Sequence, residues 1–421
     1  MLSMACAVAV VSAMTYVSAQ RGAEPAAPQG AGAAGAPQRG GGARGGGVPR
    51  GEQIRHLVYI ATPGDNGTDN QSGVVVLDAD KNYSFLKRIS YGLPAAQMPG
   101  PKNAGIAVSV PLQMLYVTTD GWMKAIDLST DQIAWTFKGE TGPVERTRGA
   151  ASGCCERPWV LPDGKTLVVG SSYNSWWYYI DGATGKVLSK LPVPEAPVAH
   201  NLTLTEDGKV GLLGSMSSPP KAGLAVVDIP SHKVLRYMTF SEMVRPLTQN
   251  HDGSLVYVNV NNLVGFELGE TATGKVLGQF KVPGTGKSTS HGIGMTPDES
   301  EIWVADPEND AWQVWDNPGD GRHPVYNASK IMKPQAGVEH SWITMSNDGK
   351  LAFVGDSSVF DVKTHKEIAV MKDEFGRRIV HTEKVLYLGF KDGKLVEGNN
   401  QFAIGDAKAY AARMAGAKTN N

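Results

Sequence analysis

"WWYYIDGATGKVLSKL", residues 176–191, contains two apolar runs separated by a short polar turn. This pattern is typical of a β-hairpin, in which neighbouring strands pair through a tight turn. Six other stretches repeat it, and the acidic residues that mark the seven turns are Asp78, Asp127, Asp181, Asp228, Glu267, Asp316 and Asp361. Their mean spacing is about 47 residues, close to the length of a four-stranded propeller blade.

A second kind of hairpin precedes these landmarks. "TLTEDGKVGLLGS" (203–215) and "TMSNDGKLAFVGD" (344–356) each read as strand, polar turn and strand, with the Asp-Gly pair that tight hairpin turns favour. Four strands per unit predict an all-β fold, a seven-bladed β-propeller over residues 52–400. The first unit begins at its second strand, so we expect "EKVLYLGF" (383–390) to supply the innermost strand of blade one and close the ring.

Both ends of the chain differ from this repeat. Residues 1–19 form an apolar run ending in Val17-Ser18-Ala19, which indicates a cleaved signal peptide, with an uncleaved membrane anchor as the alternative. Residues 20–51 are a Gly/Ala/Pro/Arg-rich segment that we interpret as a disordered linker. Residues 401–421 form a C-terminal tail with a short helical pattern. We therefore expect export to the periplasm or beyond the cell, with no transmembrane segment after cleavage.

The charge balance narrows the class of partner. The chain has 40 Lys and Arg residues against 41 Asp and Glu residues, a formal net charge of -1. Because nucleic-acid binding depends on an excess of basic residues, we exclude nucleic acid. A small-molecule or anionic ligand, or another protein, remains as the expected partner.

Several strands carry a family resemblance. "LVYIAT" (57–62), "MLYVTT" (114–119) and "LVYVNV" (255–260), together with "HGIGMTPDES" (291–300), resemble the YVTN-repeat, YncE-like propellers of exported bacterial proteins. The resemblance covers nearly all of the chain after the linker. It implies the propeller fold, and the group includes apparent binding proteins. Related architectures house lactonases, quinoprotein dehydrogenases and copper or iron enzymes, so the fold alone does not decide the activity.

One set of polar residues recurs just before the innermost strands. In a propeller these positions gather at one mouth of the central channel. The residues that we expect there are Glu156, Arg157, His200, Arg245, His291, Glu339, His340 and His381. The sequence therefore predicts a polar cluster on the axis, built from segments that are far apart in the chain.

Three interpretations of this cluster remain open. The histidines His200, His291, His340 and His381 are candidate ligands for copper, iron or zinc. Alternatively, Glu156, Arg157, Arg245 and Glu339 bind a small or anionic ligand. The third interpretation is that the imidazoles only brace neighbouring turns. We expect a binding or scaffold role at the channel mouth; the alternatives are a copper or iron oxidoreductase and a purely structural protein-interaction module.

Cys154 and Cys155 are adjacent and immediately precede Glu156. In an oxidising compartment, two neighbouring thiols can close a vicinal disulfide, and we predict one here, with two free thiols as the alternative. Such a bridge would stiffen the segment that enters the proposed channel mouth.

Overall fold

The structure is a computed structural model that describes residues 53–62, 71–94, 103–119, 121–140, 154–172, 174–335, 337–338, 341–379 and 384–419. The predicted signal peptide and linker lie outside the described residues. Among the described residues, no helix combines the length and the apolar character that crossing a membrane requires.

The described strands form seven antiparallel sheets arranged as the blades of a propeller. Blade one begins with β1 (Arg55–Thr62), β2 (Gln71–Asp78) and β3 (Ser84–Pro94). Blade two contains β4 (Asn103–Ser109), β5 (Met114–Thr119), β6 (Trp122–Asp127) and β7 (Gln132–Phe137). Blade three contains β8 (Pro158–Val160), β9 (Thr166–Gly170), β10 (Trp176–Asp181) and β11 (Val187–Pro192). Blade four contains β12 (Ala199–Leu204), β13 (Val210–Ser215), β14 (Leu224–Asp228) and β15 (Lys233–Met238).

The second half of the ring has the same organisation. Blade five contains β16 (Val244–Gln249), β17 (Leu255–Val260), β18 (Gly265–Glu270) and β19 (Lys275–Lys281). Blade six contains β20 (Ile293–Met295), β21 (Glu301–Asp306), β22 (Ala311–Asp316) and β23 (Val325–Tyr326). Blade seven contains β24 (Ile343–Met345), β25 (Leu351–Val354), β26 (Ser358–Asp361) and β27 (Lys366–Val370). The chain ends with β28 (Val385–Lys391), β29 (Lys394–Gly398) and the helix α1 (Ala407–Thr419).

Strands from the two ends of the sequence close the ring, as predicted. β28 pairs antiparallel with β1 in blade one, with Val385 opposite Ile60. β29 pairs with the other edge of β28, which gives blade one a fifth strand that the sequence did not predict. Since β28 covers the edge of β1, the propeller closes without leaving that edge unpaired.

The hydrophobic core lies between the blades. The buried apolar residues in the described part of the chain form seven clusters, one between each pair of adjacent blades. Apolar side chains on both faces of each sheet explain why the strands read as nearly continuous hydrophobic runs. The core therefore forms a ring around the axis.

One predicted turn landmark is wrong. In blade five the acidic residue at the end of the third strand is Glu270, whose backbone oxygen accepts the Gly274 N–H at 2.9 Å. Glu267 lies inside β18, is buried, and accepts hydrogen bonds from the backbone of Ser241 and the side chain of Gln279. The two acidic residues lie three positions apart, and only the pairing register shows which one ends the strand.

Candidate functional site

Four of the predicted mouth residues, together with Ser341, share one register in their blades. In blades three to seven, the first and second strands contain one pair of facing residues at the same distance from the turn. These pairs are Pro158↔Val169, Leu202↔Leu213, Leu247↔Val258, Ile293↔Val304 and Ile343↔Val354. Two residues before the first member of each pair lie Glu156, His200, Arg245, His291 and Ser341, which we call the outer ring. Glu339, His340 and His381 lie outside the described residues, so their predicted roles stay predictions.

The Glu156 carboxylate lies close to two basic groups. Its Oε2 atom is 3.7 Å from His200 Nδ1 and 3.9 Å from Arg157 Nη1. The three residues are only 4%, 7% and 3% exposed for Glu156, His200 and Arg157, respectively. Burial weakens the screening of the Glu156 and Arg157 charges by water, and the Glu156–His200 contact joins blades three and four.

Arg157 extends across the channel. Its guanidinium carbon lies 4.0 Å from the ring centre of Trp342, which belongs to blade seven. This is a cation–π geometry. A Cβ atom at Gly105 would lie 2.7 Å from the Cα of Arg157, so glycine is needed there for blades two and three to approach each other. The Arg157 side chain thus spans the mouth and contacts the opposite wall.

One register step further along the strands lies a second set of residues, which we call the inner ring: Arg157, Asn201, Pro246, Gly292, Trp342 and Lys384. Asn201 is fully buried, and Trp342 and Lys384 are 2% and 3% exposed. Arg157 is predicted from the sequence, whereas Asn201, Trp342 and Lys384 are not. Their signal was available, because Asn201 and Trp342 directly follow outer-ring residues and Lys384 directly precedes β28.

Backbone irregularities occur at the rings in blades four and five. The pairing of β12 with β13 shifts between Ala199 and Leu202, and that of β16 with β17 shifts between Val244 and Leu247. In each case two residues face one, which is a β-bulge. Bulges redirect side chains and are common next to functional sites. Here they fall at His200 in blade four and at Arg245 in blade five.

The Asn201 side chain combines complete burial with missing hydrogen bonds. Neither its Oδ1 nor its Nδ2 atom has a hydrogen-bond partner among the described residues. A buried amide without partners costs about 1–3 kcal/mol of folding free energy. Arg157 and Trp342, at the same register position, meet across the channel. Asn201 occupies the equivalent register position in blade four, so its unsatisfied amide is the candidate ligand contact of the inner ring.

Below the mouth, the C-terminal segment fills the channel. We call residues 401–405 the channel plug. The Gln401 side chain accepts a hydrogen bond from the Ile106 backbone and donates one to the Pro158 oxygen, both at 3.2 Å. Phe402 lies between the rings of Trp159 and Trp342, with centroid distances of 5.3 and 5.5 Å. The sequence predicts only a tail here; in the structure the segment contacts blades two, three and seven.

The plug also contacts blades five and six. The Ala403 oxygen accepts the Met295 N–H at 2.9 Å, and the Gly405 N–H donates to the Gln249 oxygen at 3.0 Å. The Trp342 indole N–H donates to the Gln401 oxygen at 2.6 Å. The plug therefore lies directly beneath the inner ring and bonds to the buried Trp342 side chain.

Two further outer-ring residues, Arg245 and His291, are partly exposed, whereas Ser341 is completely buried. Arg245 is half-buried and its Nε atom donates to Asn261 Oδ1 at 2.6 Å. His291 is also half-buried. Within the described part of the chain, no group of three His, Cys, Asp or Glu side chains is arranged to hold a metal ion. Two of the four predicted histidine ligands lie outside that part, so copper, iron or zinc binding stays a hypothesis.

The adjacent cysteines directly precede the outer-ring residue Glu156. Cys154 and Cys155 are fully buried in the cluster between blades two and three, and the structure places their sulfur atoms against each other, as a disulfide would require. The Cys155 N–H donates to the Thr119 oxygen at 2.9 Å, and the Glu156 N–H donates to the Gly170 oxygen at 3.0 Å. These bonds hold the segment that carries the Glu156 carboxylate into the mouth.

Fold and site together define a seven-bladed β-propeller with buried polar and charged side chains at one end of its channel. No family model matches the chain, and no curated protein sequence matches it. Among solved structures, the chain is similar to hydrazine synthase of Kuenenia stuttgartiensis, with a TM-score of 0.52 and 17% identity over 71% of this chain and 90% of that one. At this identity, the similarity shows the propeller fold alone.

Proposed function

We propose that the protein is an exported propeller of the YVTN-repeat, YncE-like kind that binds a small anionic ligand at its channel mouth. The observation that carries this proposal is the buried Asn201 amide, without hydrogen-bond partners among the described residues, in the inner ring. A natural protein retains such a group where a ligand satisfies it, because stability alone would favour an apolar residue.

The charges at the mouth support an anion. Among the described ring residues, Arg157, Arg245 and Lys384 are basic and Glu156 is acidic. A carboxylate-bearing ligand could accept a hydrogen bond from the Asn201 Nδ2 group while the neighbouring cations neutralise its charge. The ligand's own donor groups would meet the Asn201 oxygen. This arrangement supports a small hydroxylated or amino acid-like carboxylate as the ligand class.

The proposal is tested with the mature protein and a series of small carboxylates. Succinate, lactate and glutamate are titrated by calorimetry, with the matched neutral amide succinamide as the control ligand. We expect at least one carboxylate to bind saturably and the Asn201→Leu variant to lose that binding. His323→Ala, which removes an exposed histidine far from the rings in sequence, should leave it unchanged. Equal binding of succinate and succinamide would contradict an anion site.

The same preparation separates the two alternatives. Protein purified without a histidine tag is analysed for copper, iron and zinc. One metal ion per chain that is lost in the His200→Ala, His291→Ala double variant would favour the oxidoreductase. If the wild type binds neither metal nor carboxylate, the ring residues serve only to brace the blades, and the structural interaction module replaces our proposal.

A further inference from the structure

The opposite end of the channel contains a separate cavity. We call the face where the innermost strands end the exit face. A cavity of about 330 Å³ opens there beside the channel plug, and its walls include Trp159, Pro297, Met345 and Ile404. This volume lies at the lower end of the range for small-molecule sites. The plug separates the cavity from the mouth, so a ligand here would be independent of the one proposed above.

The charges of this cavity are opposite to those of the mouth. Glu206 and Asp406 line it, whereas none of the described lining residues is Lys, Arg or His. Glu206 is exposed and has no hydrogen bond or ion pair with a described residue. One oxygen of Asp406 accepts the Ala409 N–H at 2.7 Å, at the beginning of α1. The cavity therefore presents negative charge that no lining residue neutralises.

Most of the neutral polar groups in the wall are already bonded within the protein. Asn399 accepts the Tyr387 N–H and donates to the Met345 oxygen, each at 2.8 Å. The Asn400 Oδ1 atom accepts the Phe402 N–H at 2.8 Å. Since these contacts use up most of the neutral groups, the Glu206 carboxylate is the principal acceptor left for a ligand.

The apolar wall determines the rest of the ligand. Trp159 is half-buried and stacks on Phe402 of the plug at 5.3 Å, which holds the indole in a fixed orientation. An aromatic ring and a carboxylate that line the same cavity favour an organic cation, because the ring face and the carboxylate both attract positive charge. We propose that this exit-face cavity binds a small organic amine with an apolar body, whose ammonium group pairs with Glu206.

A charge series tests this assignment. 2-Phenylethylamine, 2-phenylethanol and phenylacetate share a benzyl body and are cationic, neutral and anionic at pH 7. Each is titrated into the mature protein and followed by ligand-observed NMR. We expect the amine to bind saturably at low-millimolar concentration, the alcohol more weakly, and the anion most weakly. Binding of phenylacetate as tight as that of the amine, or no saturable amine binding, would overturn the proposal.

Matched variants locate the binding on the protein. Glu206→Gln should weaken amine binding by about threefold to fivefold, as expected for one partly exposed ion pair, and leave the alcohol unaffected. Asn347→Asp adds a carboxylate to the exposed cavity rim and should tighten amine binding by about twofold. Glu195→Gln, which removes the same charge from an exposed loop that does not line the cavity, should change nothing. An equal effect of Glu206→Gln and Glu195→Gln would also overturn the assignment.

Discussion

Replacing Asn201 with leucine should make the protein more stable. Both residues have four side-chain heavy atoms, so the substitution mainly exchanges a polar amide for an apolar group. The Asn201 side chain is completely buried, and its two polar atoms have no partners among the described residues. Removing an unsatisfied buried amide recovers about 1–3 kcal/mol of unfolding free energy. For a domain of this size, the entropy of unfolding is about 0.8 kcal/mol per kelvin, so the Tm should rise by about 1–4 °C.

Asn259 provides the matched control. It is also completely buried, but its Nδ2 donates to the Gly265 oxygen at 2.7 Å and its Oδ1 accepts the Gly292 N–H at 3.1 Å. Asn259→Leu leaves both backbone groups without partners, which costs about 2–4 kcal/mol and lowers the Tm by about 3–5 °C. The two variants therefore carry the same chemical change with opposite expected signs.

Differential scanning calorimetry without added ligand measures both shifts. Carboxylate titration of the same samples then shows whether Asn201→Leu has lost binding. A fall in Tm for Asn201→Leu comparable to that of Asn259→Leu would refute the reasoning, because it would mean that the Asn201 amide is satisfied in the free protein. Its removal would then tell us nothing about a ligand.

Three further predictions concern other parts of the molecule. Phe402→Ala, in the channel plug, should cost about 3–5 kcal/mol and lower the Tm by about 4–6 °C, since this ring is only 4% exposed. Glu301→Gln should destabilise the protein at pH 7 by about 1–3 kcal/mol. Burial raises the pKa of Glu301, but hydrogen bonds from His365, Lys330 and Trp303 outweigh it and lower the pKa overall. The stabilisation that ionised Glu301 contributes is therefore fully present above about pH 4.5 and is lost as the pH falls through the lowered pKa. The unfolding free energies of the variant and the wild type should therefore converge in acid. Finally, intact-mass measurement with and without a dithiol reductant should show a gain of two hydrogens, about 2 Da, as the Cys154–Cys155 bridge opens.

Each of these has a defined control. Phe375→Ala removes the same ring from a site that is 56% exposed. An equal Tm shift in both phenylalanine variants would show that burial of Phe402 in the plug does not stabilise the fold. For Glu301, urea midpoints at pH 7 and pH 3.5 measure the convergence, and a constant difference between variant and wild type would contradict the proposed linkage. For the cysteines, an unchanged mass under denaturing reduction would establish two free thiols.

The sequence determined the repeat and, through it, the fold. Apolar runs ending at an acidic turn, as at Asp181 and Asp228, recur at a nearly constant period, and local hairpin chemistry makes each unit recognisable without tertiary information. The distance from the Asp-Gly turns also predicted that Glu156, His200 and Arg245 occupy equivalent positions in their blades. This was possible because a strand's register follows directly from its turn.

What the tertiary structure alone decided is how the channel is filled. Nothing local in residues 401–405 indicates that the segment enters the axis, because its partners belong to strands distributed along most of the chain. The pairing of Arg157 with Trp342 likewise joins residues that are far apart in sequence but meet across the mouth. Contacts of this kind depend on the closure of the ring, which places opposite blades within reach of one side chain. Hydrogen bonds across that space, and the buried Asn201 amide left without one, become visible only when all seven blades are in place.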